Sequence, residues 1–126
     1  MYDAKLTLFT AQTVTTAAVN GTGLNLLTCT PRRGMKVRCL TTAYSAAVTG
    51  INICTPKVQM STDNTAWYDC GDGYPLTAST ATLTDLQYIP VTTFRPFQYI
   101  RFVGTPSPTT GSPVWIVQAD LGISAP

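Results

Sequence analysis

Apolar and polar residues alternate one for one in several short stretches of the chain, and no stretch of ten residues carries the 3.6-residue period of a helix. The cleanest stretch is Met35–Leu40. Met35, Val37 and Cys39 share one parity and Lys36 and Arg38 the other, as in a strand with one face on a core and one in water. Val114–Leu121 does the same, with Trp115, Val117, Ala119 and Leu121 set against Gln118 and Asp120. In Ala4–Phe9, Leu6 and Leu8 alternate with Lys5 and Thr7. Leu24–Thr30, Thr80–Leu86, Gln87–Thr93 and Phe97–Val103 supply further strands, interrupted by Pro90 and Pro96. Thr13–Ala17, β-branched and polar, reads as an edge or an arm over a sheet. Ile51–Met60 changes phase: Ile51 and Ile53 share one parity, Val58 and Met60 the opposite one. Pro56 between them marks a bulge or a crossing between sheets.

Turn residues punctuate these runs. Asn20-Gly21-Thr22-Gly23 and Pro31-Arg32-Arg33-Gly34 are turns, and Gly104–Pro113 (GTPSPTTGSP) is a loop on composition. Strand signals recurring at roughly 8–12 residues predict an all-β fold, a two-sheet antiparallel sandwich of jelly-roll type with about eight strands. The length gives one domain over residues 1–126, with a short N-terminal arm of about residues 1–9.

Composition narrows the function more than the fold. Only 11% of residues are charged, against the ~25% usual in soluble domains, so the polar face must be built from Thr, Ser, Asn and Gln. There is no His and no Glu. Ser-His-Asp and Cys-His nucleophiles are therefore excluded, as are most zinc sites. A net charge of +2 is too small for a nucleic-acid footprint. No apolar run approaches the ~18 residues of a spanning helix, and the opening MYDAKLTLFTAQ has no signal-peptide pattern. Neither nucleic acid nor membrane is expected as a partner, and no cofactor. Cys29, Cys39, Cys54 and Cys70 contain no CxxC pair. Four cysteines permit two disulfides in an oxidising compartment, and buried thiols are the expectation in a reducing one.

Four stretches invite a functional reading. The segment QMSTDNTAWYDCGDG, Gln59 to Gly73, holds three of the six carboxylates. A calcium loop needs oxygen ligands at alternating positions and a closing bidentate acid. Here Asp63 and Asn64 are adjacent and no Glu closes the shell, so the segment reads as a β-hairpin whose turn is Ser61 to Thr65. Asp72-Gly73 would make the next reversal. Asp69 and Asp72 are the only candidate pair for glycoside hydrolysis. On one tight solvent-facing turn nothing would raise either pKa, so an enzyme is not expected. The only basic cluster, Arg32, Arg33, Lys36 and Arg38, fits a protein contact or a solvated turn. Phe94-Arg95-Pro96-Phe97 is an aromatic anchor or a packed corner. Trp67, Trp115 and the six tyrosines leave open a carbohydrate-binding jelly roll, a virion or surface lectin, since rings stack on sugar faces.

Two segments carry a family resemblance. Tyr2-Asp3-Ala4-Lys5-Leu6-Thr7-Leu8-Phe9, followed by Ala11-Gln12-Thr13-Val14-Thr15, is similar to the opening of the cement, or decoration, proteins of tailed double-stranded DNA phages. Val58-Gln59-Met60-Ser61-Thr62-Asp63-Asn64-Thr65-Ala66-Trp67 resembles the hairpin of that family, and Val114–Leu121 its closing strand. Where the family often has Asp-Leu-Gly after the first turn, this chain has Asn25-Leu26-Leu27. The resemblance implies a jelly-roll structural protein on the outer surface of an icosahedral virion, assembled in the host cytoplasm. It would form a homodimer or homotrimer and bridge major capsid protein subunits. The implied contact elements are the N-terminal arm and the Gly104–Pro113 loop. Tyr2, Asp3, Lys5, Arg32, Arg33, Phe94 and Arg95 are the candidate contact residues.

Overall fold

A computed structural model describes residues 2–15, 17–29, 35–45, 52–78, 81–92, 97–107 and 112–123. Among them are ten strands and no helix: β1 (Tyr2–Val14), β2 (Val19–Asn20), β3 (Leu24–Cys29), β4 (Met35–Ser45), β5 (Asn52–Ser61), β6 (Tyr68–Asp72), β7 (Leu76–Ala78), β8 (Leu83–Pro90), β9 (Phe97–Pro106) and β10 (Pro113–Ile123). One sheet has the order β1-β10-β4-β8. The other has β2-β9-β5-β6, with β3 also paired to β9 and β7 to β5. Every pairing is antiparallel.

The ten strands fill eight positions. β2 and β3 lie along the same edge of β9, opposite Gly104 and Val103 and then Ile100 and Tyr99. They are one strand broken around Gly21, where a Cβ would sit 2.8 Å from the Phe9 ring and 2.9 Å from the Phe102 carbonyl oxygen. β6 and β7 likewise share the other edge of β5. Counted by position, the chain crosses between the sheets at every connection except the β5–β6 hairpin. That is the double Greek key of a jelly roll, as the alternation predicts.

The core is made by inward parities of both sheets. Phe9 and Phe102 meet edge to face across the sandwich, with ring centroids 4.8 Å apart. Trp115 is fully buried, and its indole nitrogen donates to the Leu76 carbonyl 3.2 Å away, joining β10 to β7. A buried aromatic contributes about 1.5–3 kcal/mol by area, and the indole keeps a partner for its polar atom.

Several expected boundaries move. β5 shows no change of phase: even positions from Asn52 to Met60 face inward throughout. Asn52 takes an inward place because its side-chain amide donates to Ser45 Oγ at 3.1 Å, which a buried amide requires. Pro56 introduces no crossing. Its missing N–H falls where β5 exchanges β7 for β6 as partner, and its carbonyl accepts from Gly73 N at 2.9 Å. Leu83–Pro90 is one strand rather than two, ended by Pro90. Of the two readings of Thr13–Ala17, the edge holds for Thr13 and Val14, which end the edge strand β1 with Val14 fully buried. The N-terminal arm is itself strand: Tyr2 pairs with Gly122 and Phe9 with Ala119. The Gly104–Pro113 loop is shorter than its composition suggests, because Gly104 to Pro106 complete β9 and Pro113 opens β10. Asp72-Gly73 jogs the chain along the edge of β5 and does not reverse it.

Candidate contact surfaces

Strand register sorts the candidate residues by end. Tyr2 pairs with Gly122, Met35 with Ile123 and Lys36 with Pro90, and Cys29 pairs with Phe97. The start of β1, the end of β3 and the start of β9 are thus at one end of the sandwich. Tyr2, Asp3 and Lys5 are on this end of β1, an edge strand. Arg32, Arg33, Phe94 and Arg95 lie outside the described residues. The Gly104–Pro113 loop is the other contact element that the resemblance implies. Pro113 pairs with Ser45, at the far end of an eleven-residue strand, about 35 Å away at ~3.3 Å per residue.

The hairpin segment resolves as a turn. Asp63 accepts hydrogen bonds from Thr65 N and Ala66 N, both at 2.9 Å, and from Ser61 Oγ at 3.0 Å. Asn64 adopts φ 61°, the left-handed conformation Asn tolerates. These backbone donors hold the Asp63 carboxyl below its ordinary pKa. The carboxylate is occupied by its own turn. Asp69 and Asp72 stand at the two ends of β6 rather than on one turn, both exposed. Asp69 accepts from Gln59 Nε2 at 2.9 Å and lies 3.7 Å from Lys57 Nζ. No cluster of His, Cys or acidic side chains suited to a metal occurs among the described residues.

The outer face of the β2-β9-β5-β6 sheet is polar and cross-linked. Arg101 lies 4.2 Å above the Trp67 ring and donates to Gln59 Oε1 at 2.9 Å. Gln59 passes the chain on to Asp69. One face of Trp67 is therefore taken by a guanidinium, and Trp115 is inside the core. Trp115 thus offers no ring to a sugar and Trp67 at most its other face, while Tyr68, Tyr74 and Tyr88 stay exposed.

The opposite outer face, on β4, β8 and β10, has a different character. Inward residues alternate with Leu40, Tyr44, Leu86, Tyr88 and Ile116, each 39–51% exposed. Leu40 is directly across from Leu86, and Thr42 lies between β8's Thr84 and β10's Ile116. At one end Arg38 pairs with Asp120 at 3.2 Å, and Lys36 sits 5.6 Å above the Tyr88 ring. Alternation predicted a solvated outer face for β4. That holds for Lys36 and Arg38, but Leu40 and Tyr44 make the rest apolar. Leu40 shares the parity of Lys36 and Arg38, so its outward place was legible, whereas Leu86 lies where β8 shows no alternation.

Between the sheets, the edge by β8 is half closed. The buried Gln87 side chain accepts from Tyr74 N at 2.7 Å and donates to Tyr74 O at 3.3 Å, sealing β8 to the β6–β7 edge. Beyond that seal a cleft of about 330 Å³ opens between Thr41 and Ala43 on β4, Leu76 on β7 and Leu83 to Asp85 on β8. Cys39, Cys54 and Cys70 are free and buried. Burial pushes their thiols up to about 11, 12 and 12, Thr41 offsetting part of the rise at Cys39. Comparison of the chain with protein-family models, curated proteins and solved structures finds no match.

Proposed function

We propose that this chain is a structural virion protein that decorates the outside of an icosahedral phage capsid and bridges major capsid protein subunits. The observation that carries the reading is the apolar outer face of the β1-β10-β4-β8 sheet, with five large side chains 39–51% exposed. Surface of this kind is normally covered by protein. Two further features support it. Both segments that resemble the cement family occupy defined parts of the fold, β1 and the β5–β6 hairpin. The two implied contact elements are at opposite ends of the sandwich. Contacts at both ends of one body suit a bridge between neighbouring subunits, where two weak contacts add avidity without either being strong. Packaged DNA loads the junctions between subunits, and a bridge resists their separation.

In this reading the protein works as a self-associated unit with the shell as its partner and takes no part in catalysis. The experiment is mechanical. Shells of the source virus, stripped of outer proteins, are heated with and without the purified chain, and DNA release is followed by dye fluorescence. Release at a higher temperature when the chain is bound supports bridging. An unchanged release temperature at saturating chain contradicts it.

A further inference from the structure

We infer that the edge of β8 at Leu83–Leu86 takes up an extended peptide of a partner protein as an added strand. The peptide carries a Lys or Arg that enters the cleft beside this edge and pairs with Asp85. The inference asks nothing of the shell and uses a part of the fold that the shell reading leaves idle.

Strand parity shows that the core is unfinished here. Gln87 and Ile89 are buried, and Leu83 and Asp85 share their inward parity, yet both are exposed. Their neighbours across the ladder, Ala43 and Thr41 of β4, are buried. The sandwich is thus closed as far as Gln87, which seals β8 to Tyr74, and stops one strand short beyond it. The missing core is the cleft of about 330 Å³, with Leu76 of β7 as its far wall. That volume is at the small end of ligand pockets, which run ~300–1,000 Å³.

The backbone beside the cleft is open as well. β8 pairs with β4 alone, so alternate N–H and C=O groups of the strand point away from its sheet. Past Gln87 this side is hemmed in by β6. Thr92 N donates to the Cys70 carbonyl at 2.8 Å, and a Cβ on Gly71 would lie 2.7 Å from the Pro90 carbonyl oxygen. Among the described residues no backbone group bonds to Leu83–Leu86 from that side. On such an edge an extended peptide adds a strand, held by main-chain hydrogen bonds and read by pockets for its alternate side chains.

Charge selects the occupant. Asp85 is the one charged residue lining the cleft, and among the described residues no cation pairs with it. Its charge reaches the core, where it adds to the rise at the buried Cys39 thiol. On an added strand the residue directly opposite Asp85 shares its face at ~4.5–5.5 Å, so a Lys or Arg there meets the carboxylate. The residue two places along lies opposite Leu83 and packs on Leu83, Ala43 and Leu76, which asks for an apolar side chain. The recognised pattern is an apolar residue two places from a Lys or Arg in an extended segment.

Chemical-shift mapping by NMR tests this with the free chain and the peptide acetyl-Thr-Val-Thr-Lys-Thr-Val-Thr-amide, which reads alike in both strand directions. Saturable shifts at Leu83–Leu86, Ala43 and Leu76 are expected, with slowed amide exchange along the start of β8. Glu in place of the peptide's Lys should weaken binding by ~10-fold or more, the scale of a hydrogen bond to a charged group. N-methylation of the peptide backbone should do the same, because it removes the strand's donors. Asp85→Lys should lose the Lys peptide and gain the Glu peptide, whereas Asp69→Asn, on the other sheet, should change nothing. Circular dichroism confirms folding of both variants, whose side chains are exposed. Absence of shifts at about 1 mM peptide overturns the inference. So does equal binding of the Lys and Glu peptides, and so does equal binding of the N-methylated peptide or of butylammonium, which makes the cleft a site for a small cation only. No shell enters the experiment, so its failure leaves the shell reading standing.

Discussion

Buried thiols, a buried amide and a crowded glycine are where single residues hold this sandwich together, and each yields a measurable consequence. The three buried thiols are protonated in the fold, with values raised to about 11 and 12 by desolvation. A group whose folded pKa lies above its unfolded value favours the fold below the unfolded value. That advantage is lost as pH rises. Stability is therefore expected to fall from about pH 9 upward, by at most ~1.4 kcal/mol per pH unit for each thiol. Urea titrations at stepped pH check this, and Cys→Ala at all three positions should flatten the alkaline limb. In the native state these thiols should resist alkylation at pH 8 and react fully in denaturant. Gly71 is constrained by packing: a Cβ there would lie 2.7 Å from the Pro90 carbonyl oxygen. Backbone cannot yield as a side chain does, so Gly71→Ala should cost about 1–3 kcal/mol in a denaturant melt. Asn52→Ala strands a buried hydroxyl at Ser45 and should cost a similar ~1–3 kcal/mol. Buried thiols were the expectation for a reducing compartment, and Cys39, Cys54 and Cys70 are free and buried; the roles of Asn52 and Gly71 are not legible in sequence, because each depends on what a distant strand places opposite the residue.

At the scale of elements, legibility followed the strength of alternation. β4 and β10 were readable because their inward positions are apolar without exception across Val37 and Cys39, and across Trp115 to Leu121. β5 was misread because Asn52, inward and satisfied by Ser45, looks polar, while Ile53 on the outer face looks apolar. β8 was divided because Leu83 to Leu86 are all exposed, so no parity marks its first half. The hairpin was legible because Asp63 and Asn64 act locally, through turn chemistry a short window contains. That chemistry has a pH signature. The Asp63 carboxyl is held below its ordinary value by backbone donors. Its contribution is present above the usual carboxylate range of about 4 and lost as pH falls through the lower folded value. Asp63→Ala should lower the melting temperature at pH 7 and narrow its difference from wild type at pH 2.

For the whole molecule, two-sheet topology followed from strand count and spacing, whereas the surfaces did not. An alternating pattern says which residues face away from the core but not whether water or another protein meets them. Leu40, Leu86 and Ile116 acquire meaning only once the register makes them neighbours. Likewise the start of β1, with Tyr2, Asp3 and Lys5, the end of β3 and the start of β9 share an end only in the folded chain. The account of a bridging shell protein is tested most directly by co-sedimentation with shells of the source virus stripped of their outer proteins. Saturable pelleting at a fixed ratio to the major capsid protein, with none on unassembled capsid subunits, is the predicted result. Folded chain that stays in the supernatant at every concentration would contradict it.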